Sequence, residues 1–226
     1  MERILAYFKD PPIVVLVLVN LLPLYGVFFL NWDAFWIVLL YWTENIILGF
    51  YNILRMALVN VKYPAANIGK FFMIPFFAFH YGAFCAGHGL FILALFKKDV
   101  GRLFGNESWP FLLVFVELFV NVIKKVADLI TPEMYYAIVS LFISHGFSFV
   151  YNFFIKDERN NTDMKKLMTA PYTRIVILHI AIIAGAFPVM ILGSPAYLLV
   201  VLVILKIIID IYLHLKEHKK LRLIDK

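Results

Sequence analysis

Seven runs of mostly apolar residues take up most of this 226-residue chain. They are Ile13–Leu30, Ala34–Leu54, Phe71–Phe96, Trp109–Val126, Met134–Ile155, Ile175–Leu192 and Ala196–Leu215. A helix needs about 20 such residues to cross the hydrocarbon of a bilayer. Lipid offers no partner for an open backbone, so only helices or closed barrels can span it. These runs are continuously apolar and too long for barrel strands, which alternate. The chain is 63% hydrophobic, with a mean hydropathy of +0.85, beyond what a soluble domain carries. The expected fold is an all-α integral membrane protein, one transmembrane helical bundle over residues 1–226.

The breaks between runs carry turn chemistry: Asp10-Pro11-Pro12, Tyr63-Pro64, Thr131-Pro132 and Gly193-Ser194-Pro195. The fourth run differs from the others. Glu117, Asn121, Lys124 or Lys125, and Asp128 recur at helical spacing along it. Such a stripe suits a helix lying in the membrane interface. Loop charge separates the two counts. With Lys206 set aside as lying within a span, seven spans divide the Lys and Arg residues 13 to 7, whereas six divide them 15 to 5. The positive-inside bias therefore favours six spans, with both termini cytoplasmic and residues 109–126 as an interfacial or membrane-dipping helix. Seven spans remain the alternative. The expected location is the cell membrane, crossed several times. No internal repeat is evident, because the similar stretches at His80 and His145 do not occupy equivalent places in two halves.

Only 16% of residues are charged, with a formal excess of +6. The basic residues lie in short loops and in a tail from His214 to Lys226, where His214 and His218 read as solvated. That pattern fits anionic membrane lipid as a partner and argues against nucleic acid. Cys85 is the single cysteine, so no intrachain disulfide can form, and its apolar setting reads as a buried thiol. Residues 1–30 lack a small-residue cleavage site and read as a first span, not a cleaved signal. The segment Lys156–Arg174 reads as a solvated cytoplasmic connection. Homo-oligomers are compatible with all of this.

Histidines and charges inside the apolar runs point to a site. His80, His88, His145, His179, Glu44, Lys206 and Asp210 all fall within them. Ionisable groups at membrane depth are costly and usually face each other, a cavity or a metal. In the six-span topology Glu44, His80, His145 and Lys206 lie roughly 15 Å from the inner helix ends, with His179 and Asp210 nearer the cytoplasm. Imidazole and carboxylate together suit a divalent metal, zinc or iron above all. The expected ligands are His80, His145, His179, Glu44 and Asp210, with Glu44 and Asp210 as catalytic groups. Asn45 and Asn52 share a face beside Glu44, and Ser148 and Asn152 share one with His145. Together with Lys206 they are expected to support the ligands, as groups around a metal do. The plainer readings are a Lys206–Asp210 ion pair and histidines that bond helix to helix. His88 and Arg174 are expected at an entrance or a second site, where Arg174 and Tyr172 could meet an anionic headgroup.

The stretches Trp42-Thr43-Glu44-Asn45, His80-Tyr81-Gly82-Ala83-Phe84 with His88-Gly89, Ser144-His145 with Ser148-Phe149 and Asn152-Phe153, and Pro171-Tyr172-Thr173-Arg174 with His179 carry a resemblance. Together they resemble an uncharacterised family of polytopic prokaryotic membrane proteins, over nearly the whole chain. The resemblance implies a prokaryotic membrane location and no activity.

Three functions compete. The first is an intramembrane metalloenzyme, a hydrolase or oxidoreductase acting on a lipid or another membrane-embedded substrate. It rests on cross-helix geometry, since no His-Glu-x-x-His signature occurs. The second is a proton-coupled transporter using the Glu, His, Asp and Lys groups as a relay. The third is a structural subunit whose polar groups lock its helices. A retinal-type role for Lys206 is disfavoured by the span count.

Overall fold

The computed structural model describes residues 32–61, 64–96, 113–172 and 175–176, with isolated positions at 21–29, 98–103 and 179–208. Every regular element among them is helical. The chain divides into two compact units, one of residues 1–37 and 177–226, the other of residues 38–176. In the first unit the described positions between His179 and Ile208 are helical, and Leu199 and Val203 are fully buried. Most of the spans expected at 13–30, 175–192 and 196–215 lies outside the described residues.

Helix α1 runs Ala34–Leu58 and begins where Asp33 takes the backbone N–H of Phe35 on its carboxylate, at 2.8 Å. An aspartate there satisfies one of the donors that a helix start leaves free. Helix α2, Pro64–Leu95, opens on a proline that lacks the N–H a first turn would waste. Its 32 residues make it about 48 Å long, more than the hydrocarbon requires. Lys70 of α2 donates to the carbonyls of Ala57 and Val59, at 3.0 and 2.7 Å. It thereby caps the end of α1, where carbonyls and the helix dipole both favour a cation.

Helix α3, Leu113–Leu129, buries Leu118, Val122 and Val126 on one stripe and packs on α2. It covers most of the helix expected at 109–126; residues 109–112 lie outside the described set. Helix α4, Pro132–Phe149, starts on Thr131, whose hydroxyl accepts the Met134 N–H. Its axis continues as a π-helical segment, Val150–Ile155. Two short helices follow, α5 at Glu158–Asn161 and α6 at Met164–Thr169. Asn60, just past α1, donates its N–H to the Arg159 carbonyl. The ends of α1 and of the α4 axis therefore meet, and the two helices run in the same direction.

Three stretches are long and apolar enough to cross a membrane: Ala34–Leu58, Asn67–Leu95 and Pro132–Ile155. They overlap the apolar runs at 34–54, 71–96 and 134–155. The core of the second unit joins Ile47, Tyr51 and Met56 of α1 to Phe77, Tyr81 and Cys85 of α2 and to Phe149 and Phe153. Met164 and Leu167 belong to it as well. The described part of the segment expected as a solvated connection, residues 156–172, is thus more than a solvated loop. The apolar Met164 and Leu167, three apart on α6, share a face and pull that helix onto the core.

Candidate functional site

Glycines and aromatic side chains bring the helices close enough for polar groups to meet. A Cβ on Gly49 would fall 2.6 Å from the Tyr81 ring, and one on Gly89 would fall 2.6 Å from Val122 and 2.7 Å from Trp42. The α1–α2 contact and the approach of α3 to both need these two positions bare. Trp42 then reaches the Cys85 carbonyl at 2.8 Å, and the Tyr81 hydroxyl reaches the Asn45 carbonyl at 3.0 Å. On the α4 side, Tyr51 donates to the Phe142 carbonyl at 3.0 Å and lies against Gly146. These locks use the polar ends of otherwise apolar rings, which is how buried Tyr and Trp are usually accommodated.

Glu44 leaves α1 on the face that also carries Tyr51, seven residues on. That face meets α4, and Glu44 Oε1 lies 3.3 Å from His145 Nε2. Both side chains are about one-fifth exposed, at 17% and 22%. Two of the residues expected from the sequence are thus brought together by helices distant in the chain. One carries a carboxylate and the other an imidazole, so the pair can hold or pass a proton, or offer two ligand atoms to a cation.

His80 makes a separate contact. Its Nδ1 shares a hydrogen bond with the Tyr172 hydroxyl at 2.8 Å. Its ring stacks on Phe76 and meets the edge of Phe84. His88 is buried on α2, next to Phe84. His179 is an exposed position of the other unit. Lys206, Asp210 and Arg174 lie outside the described residues. Among the described residues, no three His, Cys, Asp or Glu side chains converge as a metal-binding group.

The supporting amides have partners of their own. Asn45 donates to Tyr41 O, one turn back, and Asn52 donates across to the Leu167 carbonyl on α6, each at 2.8 Å. The Asn45 side-chain oxygen is buried with no hydrogen-bond partner among the described residues. Asn152 donates to Ser148. Tyr51, Tyr81 and Trp42 were not among the candidates read from the sequence. The available signal was a hydroxyl or indole inside an apolar run, which needs a partner as much as a histidine does.

The match to known families covers almost the whole length, residues 5–223. The chain belongs to DUF6498, a family of unknown function. No curated protein and no solved structure matches it. DUF6498 membership agrees with the resemblance to an uncharacterised family and assigns no role to any residue. What the site does must be argued from its own chemistry.

Proposed function

We propose that this DUF6498 chain is an intramembrane metal-binding protein, an enzyme acting on a lipid or another membrane-embedded substrate, with Glu44 and His145 at its reaction centre. The observation that carries the reading is their 3.3 Å contact across α1 and α4. A charge-assisted N–H···O⁻ bond is usually about 2.7–2.9 Å. Two ligand atoms each about 2.0–2.1 Å from a tetrahedral zinc stand roughly 3.3 Å apart, so the spacing suits a shared cation as well as a hydrogen bond. His80, held through Nδ1 by Tyr172, stands in a separate contact and does not join Glu44 and His145 in a three-residue metal group among the described residues. Asp210, expected as a ligand and catalytic group, lies outside the described residues. A bound zinc or iron would polarise a carbonyl or phosphoryl oxygen or activate water. Glu44 would then act as ligand or general base.

The topology of this reading has six spans, with both termini on the cytoplasmic side of a prokaryotic membrane. The parallel course of α1 and α4 supports it. After α2 leaves the side where Lys70 caps α1, only one crossing is needed to return, and α4 makes it. Helix α3 is then the interfacial or membrane-dipping helix.

The test is elemental analysis of the full chain in mild detergent, beside Glu44→Ala, His145→Ala and His80→Ala. About one or two equivalents of one metal, lost in folded Glu44 and His145 variants, is the expected result. Absence of metal after chelator-free purification and reconstitution would sink the metal reading. A second reading is then favoured by the same pair, because a carboxylate and an imidazole in hydrogen-bond range can relay a proton. That reading predicts proton-coupled transport in proteoliposomes, reduced by Glu44→Gln.

A further inference from the structure

A cavity of about 570 Å³ opens among α1, α2 and α3, on a face of α1 turned away from Glu44. Its volume lies in the range of small-molecule sites, about 300–1,000 Å³. Small residues make its floor: Gly49 on α1, and Ala78, Gly82 and Ala83 on α2. A Cβ added at Gly82 would meet nothing within 4 Å. Phenylalanines make its walls, among them Phe50, Phe115 and Phe119. Of the lining side chains only Tyr81 and Cys85 carry a polar atom, and the Tyr81 hydroxyl is already given to Asn45. No charged side chain among the described residues lines it, so they offer a headgroup or a polar metabolite no ionic partner inside.

The apolar lining, the depth and the open rim of the cavity point to its occupant. Its lining on α2 runs from Pro75 to Cys85, which is about 15 Å along a helix. That is about half of the roughly 30 Å hydrocarbon layer, centred near the middle of the Asn67–Leu95 stretch. Phe50, Phe115 and Val116, at 46%, 44% and 38% exposure, form an open apolar rim on helices otherwise suited to lipid. We infer that this cavity binds one acyl chain of a membrane phospholipid, whose headgroup stays outside. The bare Gly82 keeps the space clear, since a residue without Cβ lets another molecule approach the backbone closely. The inference rests on the cavity alone and not on the Glu44–His145 reading.

The test uses the full chain in phosphatidylcholine vesicles that contain a trace of phosphatidylcholine with a diazirine midway along one acyl chain. After irradiation, adducts are mapped by mass spectrometry. They are expected to concentrate on peptides carrying residues 75–85 and 115–119. In Gly82→Phe, which fills the cavity, they should fall roughly tenfold, a factor equal to about 1.4 kcal/mol. Ala83→Leu narrows the same space and serves if Gly82→Phe does not fold. Phe147→Leu, on an exposed face of α4, should leave the pattern unchanged. Adducts spread evenly over the apolar faces of all helices, or unaffected by either cavity variant, would overturn the inference. So would crosslinks from the cavity to a second copy of the chain in place of lipid.

Discussion

Glu44 on α1 and His145 on α4, 101 positions apart in the chain, meet at 3.3 Å between Oε1 and Nε2. The contact is partly shielded, so it is worth more than an exposed pair and less than a fully desolvated one. A double-mutant cycle with Glu44→Gln and His145→Ala, read by denaturation in one fixed detergent, should give a coupling of about 0.5–3 kcal/mol. Additive effects would mean that the two side chains do not interact.

Gly89 and Gly82 share a helix and should behave oppositely. Alanine at Gly89 would drive its Cβ to 2.6 Å from Val122 and 2.7 Å from Trp42. Overpacking of this kind costs about 1–3 kcal/mol. Alanine at Gly82 meets open space and should raise stability by about 0.5–1 kcal/mol through its better helix propensity. Melting midpoints of the two variants in the same detergent provide the comparison; equal shifts would contradict the packing described.

Trp42 is 1% exposed and donates its indole N–H to the Cys85 carbonyl. Trp42→Phe keeps an aromatic ring but removes that donor. A loss of about 1–3 kcal/mol is expected, as for other buried groups deprived of a partner. The same variant should speed alkylation of Cys85, the single thiol, by a small maleimide, since the α1–α2 seam beside it loosens. An unchanged rate together with an unchanged melting midpoint would show that the bond contributes nothing.

Asn52 ties α1 to α6 through the Leu167 carbonyl, at 2.8 Å and fully inside the core. Asn52→Ala should leave the long helices intact and free the short one. Hydrogen exchange over Met164–Thr169 is expected to rise by roughly tenfold or more, in line with a loss of about 1–3 kcal/mol. Exchange that rises equally throughout α1 and α4 would instead indicate global unfolding.

The apolar runs determined by themselves that this chain is helical and suited to a membrane. In hydrocarbon the backbone has to satisfy its own hydrogen bonds, so length and continuity of apolar residues leave little choice. They also located three long apolar helices, two of which start where Pro64 and Thr131-Pro132 mark a break. That Glu44, His80 and His145 lie inside long apolar helices was legible for the same reason. Which of them meet was not. Spacing along one helix sets a face and a depth, but the partner depends on rotation and approach between helices. Gly49, Gly89 and Gly146 set that approach, each against a particular ring: Tyr81, Trp42 and Tyr51. The tertiary structure thereby gave Glu44 to His145 and His80 to Tyr172, and bound Asn52 to a segment that composition alone marks as a polar loop. An apolar run specifies its medium, whereas a polar contact inside it is specified only by the neighbour that packing delivers.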